Sequence, residues 1–126
     1  MQRIVLIWST VFANVQSPTK LFHPATGWLN AAEVKFIKAV WELISPMTNL
    51  SVEFGYQTAN VENSPDAAIS LGSAQTAAGL SYGTITDISA ATAGKRLVRF
   101  GFLGTNSAAA SLVMGRCGGY VEYKGC

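Results

Sequence analysis

Charge is scarce in this sequence: Asp, Glu, Lys and Arg make up 13% of its 126 residues, about half of the ~25% found in ordinary domains. Disordered chains are rich in charge and poor in apolar residues, whereas here 49% of residues are hydrophobic. The chain therefore reads as a folded one, of a length that suits a single domain with a real core. Histidine is scarcer still, with His23 alone. Acid–base catalysis near neutral pH, or a nucleophile activated by an imidazole, would rest entirely on that residue. Set in "LFHPATGW" ahead of a proline, it reads as a packing or surface residue. The two cysteines, Cys117 and Cys126, cannot complete a four-ligand zinc site with one histidine unless carboxylates join them. Asp66 and Asp87 stand apart from other acids, which excludes a calcium loop. Phosphate-binding loops, Gly-x-Ser-x-Gly elbows and His-Glu-x-x-His helices are absent. No catalytic residue, no cofactor and no metal is expected.

Long apolar runs are also missing. The longest, Ile4 to Ala13, is broken by Ser9 and Thr10 and reaches about half the ~20 residues that a membrane helix needs. As a secretory leader it fails too. Arg3 alone is a thin basic region, and "VFA" lacks a small residue at its first position. Val5, Ile7, Val11, Trp8 and Phe12 are strand formers, so residues 1–17 read as an apolar first strand. Both of its parities are apolar, which raises the question of what covers each face. No membrane partner is expected.

The net charge of +2 is too small to draw nucleic acid. Its distribution is uneven. Bases dominate up to Lys38, acids alone occupy 39–94 (Glu42, Glu53, Glu62, Asp66, Asp87), and bases return from Lys95 onward. Either the strands fold back and mix these charges on one surface, or patches of opposite sign mate between copies. The first reading is the simpler one. In "KRLVRFGF", Phe100 and Phe102 fall opposite Lys95 and Arg99 by strand parity, so the aromatics are expected in the core and not on a base-stacking face.

What is abundant is small: 17 alanines, 12 glycines, 11 serines and 10 threonines. A neutral surface of small residues suits contact with other protein, although a soluble monomer carries one as well. Strand patterns recur at sandwich spacing. "LSVEFGYQTAN" alternates cleanly, with Leu50, Val52, Phe54 and Tyr56 on one face. Further strands are expected at 67–72, 80–89, 95–104, 110–116 and 119–125, with residues 18–30 as a loop. Residues 31–44 are two-sided. An Asn30 cap with Glu33 three residues on predicts a helix, while Ile37, Ala39, Trp41 and Leu43 opposite Lys38 and Glu42 predict a strand. The neighbouring strands favour the latter, with one helical turn near Asn30. The sum is an all-β, single-domain β-sandwich over 1–126, a jelly roll or related Greek key of about eight strands.

The second half resembles the small structural proteins of bacteriophages that are built as jelly rolls or sandwiches. The stretches that carry this are "VEFGYQTANVENSPD" (52–66) and "GTITDISAATAGKRLVRFGFLGTNSAAASLVMGRCGGYVE" (83–122). The resemblance implies a non-enzymatic virion component, made in the host cytoplasm: a capsid decoration or cement protein, or a minor head or tail protein. It implies partners among other virion proteins and copies of itself, as a homo-oligomer such as a trimer, and it transfers no catalytic residue.

Candidate subunit contacts on the residues themselves are Ile4, Leu6, Trp8 and Phe12 of the first strand, with Lys95 and Arg99. A second reading, a carbohydrate-binding module on the same fold, needs exposed coplanar aromatics, with Trp28 beside Tyr56 or Tyr82 as candidates. A third, a secreted domain bridged between Cys117 and Cys126, meets a geometric obstacle. Gly118-Gly119 could let the chain bend between them, but a straight strand would hold the two cysteines about 30 Å apart, far beyond disulfide reach.

Overall fold

A computed structural model of the chain describes residues 2–12, 21–45, 50–106 and 113–125. Among the described residues, ten strands form two antiparallel sheets. They are β1 (Gln2–Phe12), β2 (Leu21–Pro24), β3 (Leu29–Asn30), β4 (Phe36–Ser45), β5 (Leu50–Ala59), β6 (Ile69–Gln75), β7 (Gly79–Tyr82), β8 (Thr86–Asp87), β9 (Leu97–Asn106) and β10 (Val113–Lys124). A single helical turn, α1 (Ser89–Thr92), precedes β9.

Sheet I runs β1-β10-β4-β7, with β8 also on β4; sheet II runs β2-β9-β5-β6, with β3 also on β9. Since β2 and β3 share one neighbour, as do β7 and β8, each pair is one interrupted strand. On that count the sheets read first-eighth-third-sixth and second-seventh-fourth-fifth. Every adjacent pairing at the hairpin level (first with eighth, second with seventh, third with sixth, fourth with fifth) is kept. That is a long two-stranded ribbon wrapped around a core, a jelly roll.

The alternation expected from the sequence places the core. Ile37, Trp41 and Leu43 of β4, Val52, Phe54 and Tyr56 of β5, and Val98, Phe100 and Phe102 of β9 are all buried between the sheets. Phe102 meets Trp41 at 5.5 Å and Phe54 edge-on at 6.0 Å between centroids, the offset geometries that aromatic quadrupoles favour. Residues 36–45 form a strand because β10 and β7 pair with it on both sides, which overrides a local helical signal. That signal survives for one turn. Asn30 Oδ1 accepts from the Ala32 backbone N–H at 3.0 Å and caps the 3-10 turn Ala31–Glu33.

Three expectations are corrected. The loop expected over 18–30 contains β2 and β3, which pair with β9 in register; Pro24 is the last residue of β2, a strand end where proline is tolerated, and Gly27 lies between the two strands. The strand expected over 80–89 is broken into β7 and β8, and α1 follows. The Asp87 side chain accepts from the Ser89 N–H at 2.8 Å and starts that turn, and Gly94, at φ 73°, lies just beyond its end. The two strands expected over 110–125 are one, β10, with a bulge between Arg116 and Cys117. Gly118-Gly119 is not a bend. A Cβ on Gly119 would lie 2.2 Å from the Val40 carbonyl oxygen, so the glycine admits the neighbouring strand.

Candidate interaction surfaces

The apolar first strand is an edge of sheet I. All its residues from Gln2 to Phe12 pair with β10. Of the expected subunit contacts, Ile4 stands opposite Val121 and is partly buried against the core. Leu6, Trp8 and Phe12 have Gly119, Cys117 and Val113 as their register partners, and their side chains lie outside the described residues.

Lys95 and Arg99, the other expected contacts, are engaged within the chain. Lys95 Nζ lies 2.7 Å from Asp66 Oδ2, and the same carboxylate oxygen accepts from Thr58 Oγ1 at 3.0 Å. These two bonds, the lysine's first, hold the Asp66 carboxyl below its ordinary value. Arg99 gives Nε and Nη2 to Gln57 Oε1 at 2.9 and 2.6 Å. Its guanidinium lies 4.2 Å from the Trp28 ring centroid and 5.8 Å from that of Phe22, a cation–aromatic cluster on the outer face of sheet II. Lys95–Asp66 joins the acidic stretch to the basic one that follows it, as the simpler reading of the charge pattern requires, whereas Arg3–Glu122 at 2.9 Å joins the two base-dominated stretches.

The aromatics expected to bind sugar are not assembled. Tyr56 is 4% exposed, a core residue beside Phe100, and burial raises its phenol pKa. Trp28 is half-buried, with Arg99 against its ring. Tyr82, 76% exposed, stands on the other sheet. A coplanar pair is therefore not formed, because Tyr56 obeys the inward parity of β5.

His23 lies on β2 opposite Phe102, and burial pulls its imidazole pKa down. Cys117 is a free, buried thiol whose pKa burial pushes up to about 12; Cys126 lies outside the described residues. Among the described residues no group of three or more His, Cys, Asp or Glu could hold a metal ion, and no helix is long and apolar enough to cross a membrane.

Two open surfaces stand out among the described residues. One is a cleft of about 410 Å³ between the β6 edge of sheet II and the β7–β8 edge of sheet I, floored by Trp41, Phe54 and Ile37. Gln75 Nε2 donates to Ser81 Oγ across the two edges. The exposed side chains Ile69 and Ile85 belong to the same two edges. The other surface is the outer face of sheet I. In register, Tyr120, Val40 and Tyr82 form one row across three adjacent strands. Tyr82, Leu80 (46%) and Ile44 (42%) are exposed there, while Val40, between the two tyrosines, is 6% exposed. The Arg3 guanidinium lies 4.2 Å over the Tyr120 ring, and Glu122 stands between Arg3 and Lys38 in the next row. Composition could not reveal this face. Tyr82, Leu80 and Ile44 look like ordinary strand residues until the register shows that they share the outward parity.

No family model matches the chain, and no curated protein matches it. Its fold does have a likeness among solved structures. A chain in the structure of infectious bursal disease virus, Gt strain, superposes with a TM-score of 0.63 over 95% of this chain, at 5% sequence identity. The match covers 32% of that longer chain. At this identity the likeness is one of fold: an all-β sandwich of the kind found in a virus structure.

Proposed function

We propose that this chain is a virion structural protein that acts without catalysis, through protein–protein contacts. The observation that carries the reading is the wrapped-ribbon topology, matched over nearly the whole chain by part of a virus structure. The open outer face of sheet I supports it, since contiguous exposed apolar surface marks a contact site. The resemblance of residues 52–66 and 83–122 to bacteriophage structural proteins points the same way. It makes a decoration or cement protein, or a minor head or tail protein, the specific role, with other virion proteins and further copies of the chain as partners. Nucleic acid is not among those partners in this reading, because Lys95, Arg99 and Arg3 are engaged within the fold.

The test is quantitative mass spectrometry of purified particles from the virus that encodes the chain. A structural protein is recovered at a fixed copy number that survives density-gradient purification. Recovery only from the soluble lysate, with none in intact particles, overturns the proposal.

A further inference from the structure

On the outer face of sheet II, Arg99 stands directly opposite Gln57. The Gln57 amide is oriented by its own bond: Nε2 donates to the Asp66 carbonyl oxygen at 2.9 Å, which leaves Oε1 for Arg99. That oxygen accepts the Nε–H and one Nη2–H, at 2.9 and 2.6 Å, and so occupies the side edge of the guanidinium. Trp28 immediately precedes β3, whose Leu29 pairs with Val98. Its ring comes level with Arg99, the centroid 4.2 Å from the guanidinium carbon. Gly101, the next outward position of β9, leaves room for the Phe22 ring to lie across it; a Cβ there would be 2.9 Å from Phe22 Cζ. One cation is thus clamped between two rings and an amide.

A guanidinium has five N–H donors, and Gln57 takes two of them. Of the rest, one on each Nη forms the end edge, a parallel pair that matches the two oxygens of a carboxylate. This edge has no acceptor among the described residues, which include every Asp and Glu of the chain. Burial lowers the Arg99 pKa and no neighbouring acid offsets it. Arginine nonetheless stays charged, and a half-buried charge without a counter-ion is costly.

We propose that the end edge of Arg99, framed by Trp28 and Phe22, is the seat for a single Asp or Glu side chain of another virion protein. The neighbours on the outward parity of β9 are Leu97, Gly101 and Leu103, so the positive charge is single and its surroundings are apolar. A phosphate chain needs a row of bases; one carboxylate needs one fork. Glu53, four residues from Gln57 along β5, is buried on the same face and accepts from Ser70, which disfavours a run of acids. Arginine and tryptophan are the residues on which binding energy concentrates when apolar neighbours exclude water. The partner's place in a particle rests on the assembly reading; the chemistry of the seat does not.

The test has two arms. In the first, the full chain, isotopically labelled, is titrated with N-acetylglutamate N-methylamide at constant ionic strength and read by NMR at the Arg99 Nε–H and the Trp28 indole N–H. Both signals should shift saturably, with a Kd on the order of tens of millimolar, as one bidentate charged pair gives. The glutamine analogue should shift neither. Arg99→Lys keeps the charge without the fork and should lose saturation at Trp28. No saturable shift in the wild type, an equal response to the glutamine analogue, or methyl phosphate binding about tenfold more tightly would each overturn the proposal. In the second arm, the virus carries Arg99→Lys, and thermal melting of the purified variant verifies that it folds. Its copy number in particles should fall at least about tenfold; an unchanged copy number overturns the proposal. Absence of the wild-type chain from particles sinks the virion role, and the titration then decides the seat alone.

Discussion

Cys117 sits 1% exposed on β10 among the core residues, and its thiolate would have to form in an apolar surrounding. Burial pushes its pKa up to about 12, whereas an unfolded cysteine titrates near 8.5. The stability this contributes is fully present below the unfolded value and is lost as pH rises from there towards 12. Native protein treated with an aromatic disulfide reagent at pH 8 should leave Cys117 unmodified. The same reagent in denaturant should label it at once, as peptide mapping will show. Rapid native labelling of Cys117 would mean that the core is open. The sequence spoke to this residue only in part. It showed that a straight strand keeps Cys117 from Cys126, but splitting the strand at 116/119 hid that Cys117 shares the inward parity of Val121 and Tyr123 on one continuous β10.

Among the elements, β5 and β9 were legible because alternation leaves one face to bury, whereas β4 read as a strand only through its neighbours. Phe100 and Phe102 fell in the core as their opposition to Lys95 and Arg99 required. The elements that escaped were short or glycine-rich. β2 and β3 are held by the β9 ladder and not by propensity, and α1 is a single turn built from small residues. β10 was split in two because Gly118-Gly119 looks like a turn in isolation. Its purpose is close approach, since Gly119 has φ 143° and the Val40 carbonyl and Trp41 Cα lie within 3 Å of where a Cβ would sit. Gly119→Ala should therefore cost about 2–4 kcal/mol, combining backbone strain with overpacking. Gly27→Ala, where nothing lies within 4 Å of the added methyl, should cost much less. Urea unfolding of the two variants side by side gives the comparison; equal midpoints would contradict the close packing of β10 on β4.

At the scale of the whole molecule, the first and last strands are partners from Gln2↔Tyr123 to Phe12↔Val113. An apolar first strand that served assembly alone could be removed and leave a folded sandwich. The topology argues otherwise. β1 closes one edge of sheet I, pairs along its whole length and sets Ile4 against the core. A chain lacking residues 1–12 should lose cooperative unfolding and expose β10 as an unprotected, aggregation-prone edge. Circular dichroism melts and size-exclusion profiles would show this, and a cooperative melt in the truncated monomer would refute it. The candidate contact surface was the least legible part, since it is a property of register. Tyr120, Val40 and Tyr82 come from three distant stretches of chain, and only strand pairing brings them into one row.

The pairing of Gln2 with Tyr123 has a further consequence, for how the domain can be carried. Chain entry and chain exit stand side by side at one end of one sheet, a few ångströms apart. A module with that geometry can be spliced into a surface loop of another protein through two short linkers, or have its ends joined and reopened elsewhere, without a strand leaving its place. The wrapped ribbon is thus portable as a unit, a cassette whose two leads emerge together.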